Sequence, residues 1–264
     1  MNATFQDPCR MPRPDIIAEG DDWLVVNKPA GLLVHPSKPG GPVTLWHGLR
    51  ELLAFELANG GQVSIINRLD RETSGVTLIA KHPDAARRFT ALMESRVIHK
   101  EYLAIVHGWP EWEETTVEAP LARKGEYEPS PIWLKQCVHP LGAASRTRFI
   151  VERRFTAPQH GEARLALLRA FPETGRMHQI RVHAAHLGHP LVGDKIYGPD
   201  ETCYLRFIET GWTPELEAQL WLPRHALHAA VMGIESEGFR WEAPLASDLR
   251  EFLHASGIDL GAGD

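Results

Sequence analysis

The residue with the clearest chemical potential is Asp70. In "NRLDRETSG", residues 67–75, this single aspartate stands between Arg68 and Arg71 and is followed by Thr73, Ser74 and Gly75. A carboxylate held beside guanidinium groups keeps a low pKa and stays ionised at neutral pH, which suits a nucleophile or an electrostatic stabiliser and not a general acid. The same residues also suit a local salt bridge closing a Thr-Ser turn, and the segment alone leaves both readings open. If it is extended, Arg68 and Asp70 share a face and Arg71 points away.

A second constellation lies in "PETGRMHQIRVHAAHLGHPLVGDKIYG", residues 172–198. Pro172 to Gly175 read as a turn. Met177, Ile180, Ala184 and Leu187 recur at helical spacing and define an apolar face. Arg181 stands at its edge, where its stem can pack on the core while its head reaches a carboxylate from another element. Gly188 and Pro190 end the helix, and "VGDKIYG" reads as a turn-rich loop.

His178, His183, His186 and His189 fall in this segment too. His183 and His186 could face one ion, but His178 lies far around the helix and His189 beyond its stop. No acid or cysteine nearby completes a familiar ligand set. Histidines that hydrogen-bond within the fold, or touch phosphate, are the expectation, and no metal is assigned. Tyr102, in "HKEYLAIVHG", shares a strand face with Lys100; its ring suits either half-buried packing or stacking on a planar base.

The elements that must carry these residues are strand-rich. "IIAEGDDWLVVNKPAGLLVHPS" reads as short strands joined by tight turns, and Leu45, Leu49, Leu52, Leu53 and Leu57 mark one helix ended by Asn59-Gly60-Gly61. "GVTLIAK" is a strand and "PDAARRFTALMESR" an amphipathic helix presenting Ala85, Phe89, Leu92 and Met93. "RTRFIVERRF" and "ARLALLRAF" form a strand pair. "ALHAAVMGIES" and "FRWEAP" are further strands, and a last helix starts at Ser247. The stretch from Pro110 to Ala144 has no firm period and reads as an excursion with strand fragments. Strands mixed with a few helices, without regular alternation, imply an α+β fold. We expect one domain over residues 15–256, between an N-terminal tail of residues 1–14 and a C-terminal tail of residues 257–264.

The 264 residues, 43% hydrophobic, can bury a substantial core. No apolar run is long enough to span a membrane and the start lacks a secretory signal, so no membrane association and a cytoplasmic location are expected. Cys9, Cys137 and Cys203 are odd in number and widely separated, which fits reduced thiols. The net charge of −6 argues against a nucleic-acid binder, but its distribution does not. Residues 146–195 hold nine Lys and Arg against four acids, whereas residues 196–264 hold twelve acids against four basic residues. Both basic segments, residues 68–102 and 146–195, contain the constellations above.

Taken together, "NRLDRETSG", "KEYLAIVHG" and "GRMHQIRVHAAHLGHPLVGDKIYG", in this order, closely resemble the RluA-type RNA pseudouridine synthases. "DDWLVVNKPAGLLVHP" and "LHAAVMGI" with "FRWEAPL" resemble the family's flanking strands, so the likeness covers about residues 15 to 250. It implies the pseudouridine synthase fold, a mixed and largely antiparallel sheet flanked by helices and loops around a central cleft. It also implies an isomerase that converts uridines to pseudouridine in transfer RNA, ribosomal RNA or both, acting on a flipped-out uridine with no metal and no organic cofactor. By the resemblance, Asp70 is the nucleophile, Arg181 the cation that pairs with it, and Tyr102 the active-site ring. Arg68 takes the place of the extruded base, and Arg71, Thr73, Arg176, His178 and Gln179 contact the substrate. RNA is the implied partner and DNA is not, and a monomer is expected.

Many relatives have histidine where this chain has Asn67, so that position is assigned no catalytic role. Larger relatives carry a further RNA-binding domain ahead of the catalytic one. Here the first catalytic strand begins near residue 15, which leaves substrate selection to the catalytic domain, the excursion and the N-terminal arm. The alternatives are a non-catalytic RNA-binding protein of the same fold and a histidine-dependent metal hydrolase. A glycosidase lacks its second acid.

Overall fold

The structure, a computed structural model, describes residues 14–38 and 40–260. The N-terminal arm, apart from Pro14, and the last four residues of the C-terminal tail therefore lie outside the described residues. The chain starts with β1 (Asp15–Glu19) and β2 (Trp23–Lys28), continues through α1 (Leu45–Leu52), α2 (Ala54–Ala58) and β3 (Ser64–Ile65), and reaches β4 (Ser74–Ala80). Next come α3 (Pro83–Glu94), β5 (His99–His107), β6 (Glu114–Glu118), β7 (Leu121–Arg123) and β8 (Gln136–Val138). The long hairpin of β9 (Arg146–Ala157) and β10 (Ala163–Pro172) leads to α4 (Gln179–His186), α5 (Thr202–Thr210) and α6 (Pro214–Leu220). Two strands, β11 (Leu227–Ile234) and β12 (Phe239–Glu242), precede α7 (Ser247–Ala255).

Ten strands form one sheet, ordered β1-β2-β4-β11-β5-β10-β9-β6, with β3 also on β4 and β12 also on β11. Only β4 and β11 run parallel among these pairs, so the α+β architecture is mixed and largely antiparallel. Alternation along the strands assigns their faces. Tyr102, Ala104 and Val106 of β5 join Ala166, Leu168 and Ala170 of β10 beneath Ile180 and Ala184 of α4. Leu103, Ile105, Leu165 and Leu167 face the other way, onto Leu249, Phe252 and Leu253 of α7. In the other half of the sheet, Val76 and Leu78 pack on Phe89 of α3, while Leu24, Val26 and Ile79 pack on α1.

Several local expectations give way to tertiary packing. The helix expected through Leu57 breaks at Leu53, where φ −99° and ψ 29° leave the α region. The bend lets Leu53 bury beside Leu45 and Leu49 and leaves Leu52 exposed. The run from Leu32 to His35 is not a strand. Met177 lies before α4 and is exposed, so the buried face of that helix begins at Ile180. Ile258, placed in the C-terminal tail by the sequence, is buried in the core against α7. The excursion holds β6, β7 and β8, as its strand fragments suggested.

Two features of the frame bear on the site. Gly75 is the second residue of β4, where that strand meets β11, with His228 opposite Ser74 and Ala229 opposite Gly75. Its φ of 115° and the closeness of β11, whose Ala229 carbonyl oxygen would lie 2.1 Å from an added Cβ, leave room for glycine alone. Three histidines serve as posts, whereas His186 is exposed. His183 bonds Thr147 Oγ1 at 2.9 Å and the Ala119 carbonyl at 3.0 Å, His228 bonds Ser74 Oγ at 2.9 Å, and His189 bonds the His107 carbonyl at 2.9 Å. Among the described residues no group of three His, Cys, Asp or Glu side chains is placed to hold a metal ion.

Gly75→Ala is expected to cost about 3 kcal/mol or more of folding free energy, measured by urea unfolding; near-wild-type stability would contradict the contact with Ala229. Burial holds His107, His178 and His228 each down to about 4, from an ordinary value near 6.5. Above 6.5 both folded and unfolded chains carry these rings neutral, whereas below it the unfolded chain takes up protons that the folded chain refuses until about 4. Stability should therefore fall from pH 6.5 towards pH 4. A urea midpoint unchanged between pH 7 and pH 4.5 would refute this.

Candidate active site

Asp70 lies on the loop between β3 and β4, Tyr102 on β5 and Arg181 on the first turn of α4, so three elements distant in sequence meet over one face of the sheet. They line a cavity of about 590 Å³ together with Arg68, Arg71, Thr73, Lys100, Arg176, His178 and Gln179. That volume falls in the range of small-molecule sites, roughly 300–1,000 Å³. Every residue to which the resemblance assigns a site role borders this cavity, but not in equivalent ways.

The Asp70 loop is a turn and not an extended segment, because the Thr73 amide donates to the Asp70 carbonyl at 3.1 Å. Asn67, buried beside it, donates through Nδ2 to the Val76 carbonyl at 3.0 Å and accepts the Leu78 amide at 2.8 Å. Its side chain thus fastens the loop to β4. Beneath the turn, Lys28 Nζ donates to the carbonyls of Pro29 at 2.8 Å, Leu32 at 3.0 Å and Arg71 at 3.2 Å. Burial lowers the Lys28 ammonium to about 7, with the Arg224 charge adding to the effect and the Asp70 charge opposing it.

Arg181 Nη1 donates to Asp70 Oδ2 at 2.9 Å. The rest of the guanidinium is gripped by an aspartate that the sequence reading passed over: Nε and Nη2 fork onto Asp194 Oδ2 at 2.7 Å and Oδ1 at 2.9 Å. Asp194 is fully buried and also accepts the amides of Ile196 at 2.9 Å and Tyr197 at 3.0 Å. The Tyr197 ring covers Arg181, 5.0 Å from its guanidinium carbon. The loop read as "VGDKIYG" is therefore the socket of the arginine. Its signal in the sequence was the requirement that a buried guanidinium find a partner for its fork.

These contacts set the protonation states. Burial alone would raise the Asp70 carboxyl, but the charges of His178, Arg181 and His225 and the Arg181 hydrogen bond outweigh it, and the pKa lies below the usual carboxylate value. His178 is itself lowered to about 4 by burial and by Arg181, and His225 lies well below its ordinary value through burial. Both rings are neutral at pH 7, so Arg181 is the charge that keeps Asp70 ionised there. Tyr102 is shifted upward by burial and then by the Asp70 charge, which keeps its phenol protonated.

His178 adopts a left-handed backbone, φ 57°, just before α4, and its Nδ1 lies 2.8 Å from the Tyr197 hydroxyl. That hydroxyl accepts the Gln136 amide at 2.8 Å, so its own proton is available to His178 Nδ1. The ring then carries its proton on Nε2, 3.9 Å from Asp70 Oδ2. Arg68, Arg71 and Arg176 are exposed at the cavity rim. Arg71 Nε donates to the Gly31 carbonyl at 3.1 Å and Arg176 Nε to the Ala144 carbonyl at 3.2 Å.

Two residues expected to contact substrate are committed inward. Gln179 accepts from Thr174 Oγ1 at 2.6 Å and the Arg176 amide at 3.0 Å, and donates to the Arg146 carbonyl and Thr147 Oγ1, both at 2.9 Å. Its amide is saturated, and it shapes the wall. Thr73 is buried with its hydroxyl 2.7 Å from His225 Nε2, which fixes the turn after Asp70.

Comparison with known proteins converges on one family. A family model described as RNA pseudouridylate synthase matches residues 22–186. The ribosomal large subunit pseudouridine synthase D of Salmonella typhimurium is 35% identical over 93% of this chain and 71% of its own length. The protein of that name from Nitrosomonas europaea is 34% identical over 91% of this chain, which spans 64% of that relative. An uncharacterized RNA pseudouridine synthase of Chloroflexus aurantiacus is 38% identical over 86% of the chain and 64% of its own length. Among solved structures, human RNA pseudouridylate synthase domain containing 4 shares the fold, with a TM-score of 0.72 at 23% identity over 93% of this chain and 94% of that one. With the model spanning more than half of the chain, on the very segments that carry Asp70, Tyr102 and Arg181, the chain belongs to the RNA pseudouridylate synthase family, as its RluA-type motifs imply.

Proposed function

We propose that this protein isomerises uridine to pseudouridine in RNA, with Asp70 as the nucleophile. The observation that carries the reading is the half-buried, ionised Asp70 carboxylate, held through one oxygen by Arg181 at 2.9 Å in a cavity that Tyr102 also lines. Its second oxygen is the one available to an electrophile. Attack on ribose C1′ breaks the bond to N1, whose electron pair leaves with the uracil. After the base turns, C5 attacks C1′, the carboxylate departs, the C5 proton is lost and N1 gains a proton.

A carboxylate at the bottom of a cavity cannot reach C1′ of a stacked nucleotide, so the uridine must be extruded at the cost of unstacking. Arg68, exposed at the rim, would fill the vacated space. Tyr102 gains a second role from its electrostatics. Part of the upward shift of its phenol comes from the Asp70 charge. Bonding of Asp70 to C1′ would remove that charge, so the phenol would be a better proton carrier while the uracil is detached and turning, until the carboxylate departs and the charge returns. The basic rim of Arg68, Arg71 and Arg176 suits phosphates. The relatives' names make large-subunit ribosomal RNA the first substrate to try and transfer RNA the second. Among the described residues no helix is long and apolar enough to cross a membrane, and we place the reaction in the cytoplasm.

Incubation with unmodified ribosomal and transfer RNA transcripts, followed by mapping at single-nucleotide resolution, tests the activity. The wild type should form pseudouridine at defined sites. Asp70→Asn should form none while binding RNA with an affinity within about threefold of wild type; loss of binding in parallel would remove Asp70 from the nucleophile role. Tyr102→Phe should lower the single-turnover rate by about 100-fold or more and change affinity little. Equal losses in rate and affinity would reduce Tyr102 to a stacking surface.

A further inference from the structure

The ion pairs behind the cavity close into a circuit. Asp70 accepts from Arg181, and Arg181 is forked onto Asp194. The next residue, Lys195, places its ammonium 2.7 Å from Glu72 Oε1. Glu72 is two residues from Asp70, on the same turn. The loop that carries the carboxylate and the loop that grips its arginine are thus tied twice, once through the site and once behind it.

The rear tie is anchored in the interior at its lysine end, while the Glu72 side chain is 22% exposed. Lys195 is 2% exposed, donates also to the Pro223 carbonyl at 2.5 Å, and lies 4.5 Å from the centre of the Phe207 ring. The main-chain carbonyl of Glu72 accepts from Arg224 Nη1 at 3.2 Å, and Arg224 is itself forked onto Asp248 at 2.6 and 2.8 Å. Neither Glu72 nor Lys195 lines the cavity. A buried ion pair is a poor source of net stability, because desolvation offsets much of its attraction, but it does fix the separation of the elements that carry it. Here those elements lie 123 residues apart in the chain.

We propose that Glu72 and Lys195 are a positioning pair, which holds the Asp70 turn at the distance from the Arg181 socket that leaves one carboxylate oxygen bonded and the other aimed into the cavity. The proposal rests on the reading of Asp70 as the nucleophile. Catalysis is sensitive to such placement, since an error of about 1 Å can cost about 100-fold in rate.

The test compares Glu72→Gln, Lys195→Met and the double variant with wild type in single-turnover pseudouridine formation, RNA affinity and thermal unfolding. It also measures hydrogen exchange of the Arg181 Nε proton by NMR. Each single variant should lose about 10- to 100-fold in rate with affinity within about threefold. The double variant should be no slower than the slower single one, because either change opens the circuit. Exchange at Arg181 Nε should quicken in all three. Rates near wild type in folded variants, additive losses, or losses that follow affinity and melting temperature would overturn the pair's role. If the wild type itself turned over no RNA, the function proposed above would fall. The exchange measurement still decides the circuit, because unchanged Arg181 exchange in Glu72→Gln would refute it on any reading of the activity.

Discussion

One guanidinium shared between two carboxylates governs this structure. Arg181 is buried, and its charge is tolerable there only because Asp194 takes its fork and two main-chain amides complete the aspartate's coordination. One cation between two anions leaves a net negative charge, and the two aspartates carry it differently. Asp194 is saturated and fully buried. Asp70 is about a quarter exposed and receives a single donor from Arg181, so it remains an anion with an oxygen to spare. The position of Asp70 on the outer side of the pair leaves it an oxygen that the other aspartate, of the same type, does not have free.

The surroundings protect this arrangement by remaining neutral. Burial suppresses the charge on His178 and His225 and lowers that on Lys28, so at neutral pH no second full cation is assured beside Asp70. Tyr102 and Tyr197, both shifted upward by burial, add no negative charge. The field at Asp70 is therefore set by one fixed arginine, and preorganised fields of this kind need no rearrangement when a substrate arrives.

Much of this was legible in the sequence, for reasons that also explain what was not. The long strands and the helix at Ala85 and Phe89 have clean two- and 3.6-residue periods because each buries one face. Asp70 and Arg181 stood out because their motifs recur in a family, and an arginine at the edge of an apolar stripe needs an acid. Asp194 left no such mark: a lone acid among Gly, Lys and Tyr reads as a turn, and only tertiary placement turns it into a socket. Gln179 and Thr73 show the opposite difficulty. Polar side chains beside a motif suggest a ligand, but an amide with four internal partners has nothing left to offer one. The break at Leu53 and the exposure of Met177 were hidden because a leucine or methionine repeat does not reveal where the neighbouring strand ends.

The parallel pairing of β4 with β11 also constrains when the site can exist. Asp70 belongs to the first third of the chain, but its turn is fastened by His225 and Arg224 and its strand is seated on Ala229. A ribosome making this protein releases Asp70 first, Arg181 more than a hundred residues later, and the residues that lock the turn later still. Until residue 229 has emerged, β4 has β2 beside it but not β11, and the growing chain carries Asp70, Tyr102 and Arg181 without yet having the cavity they line.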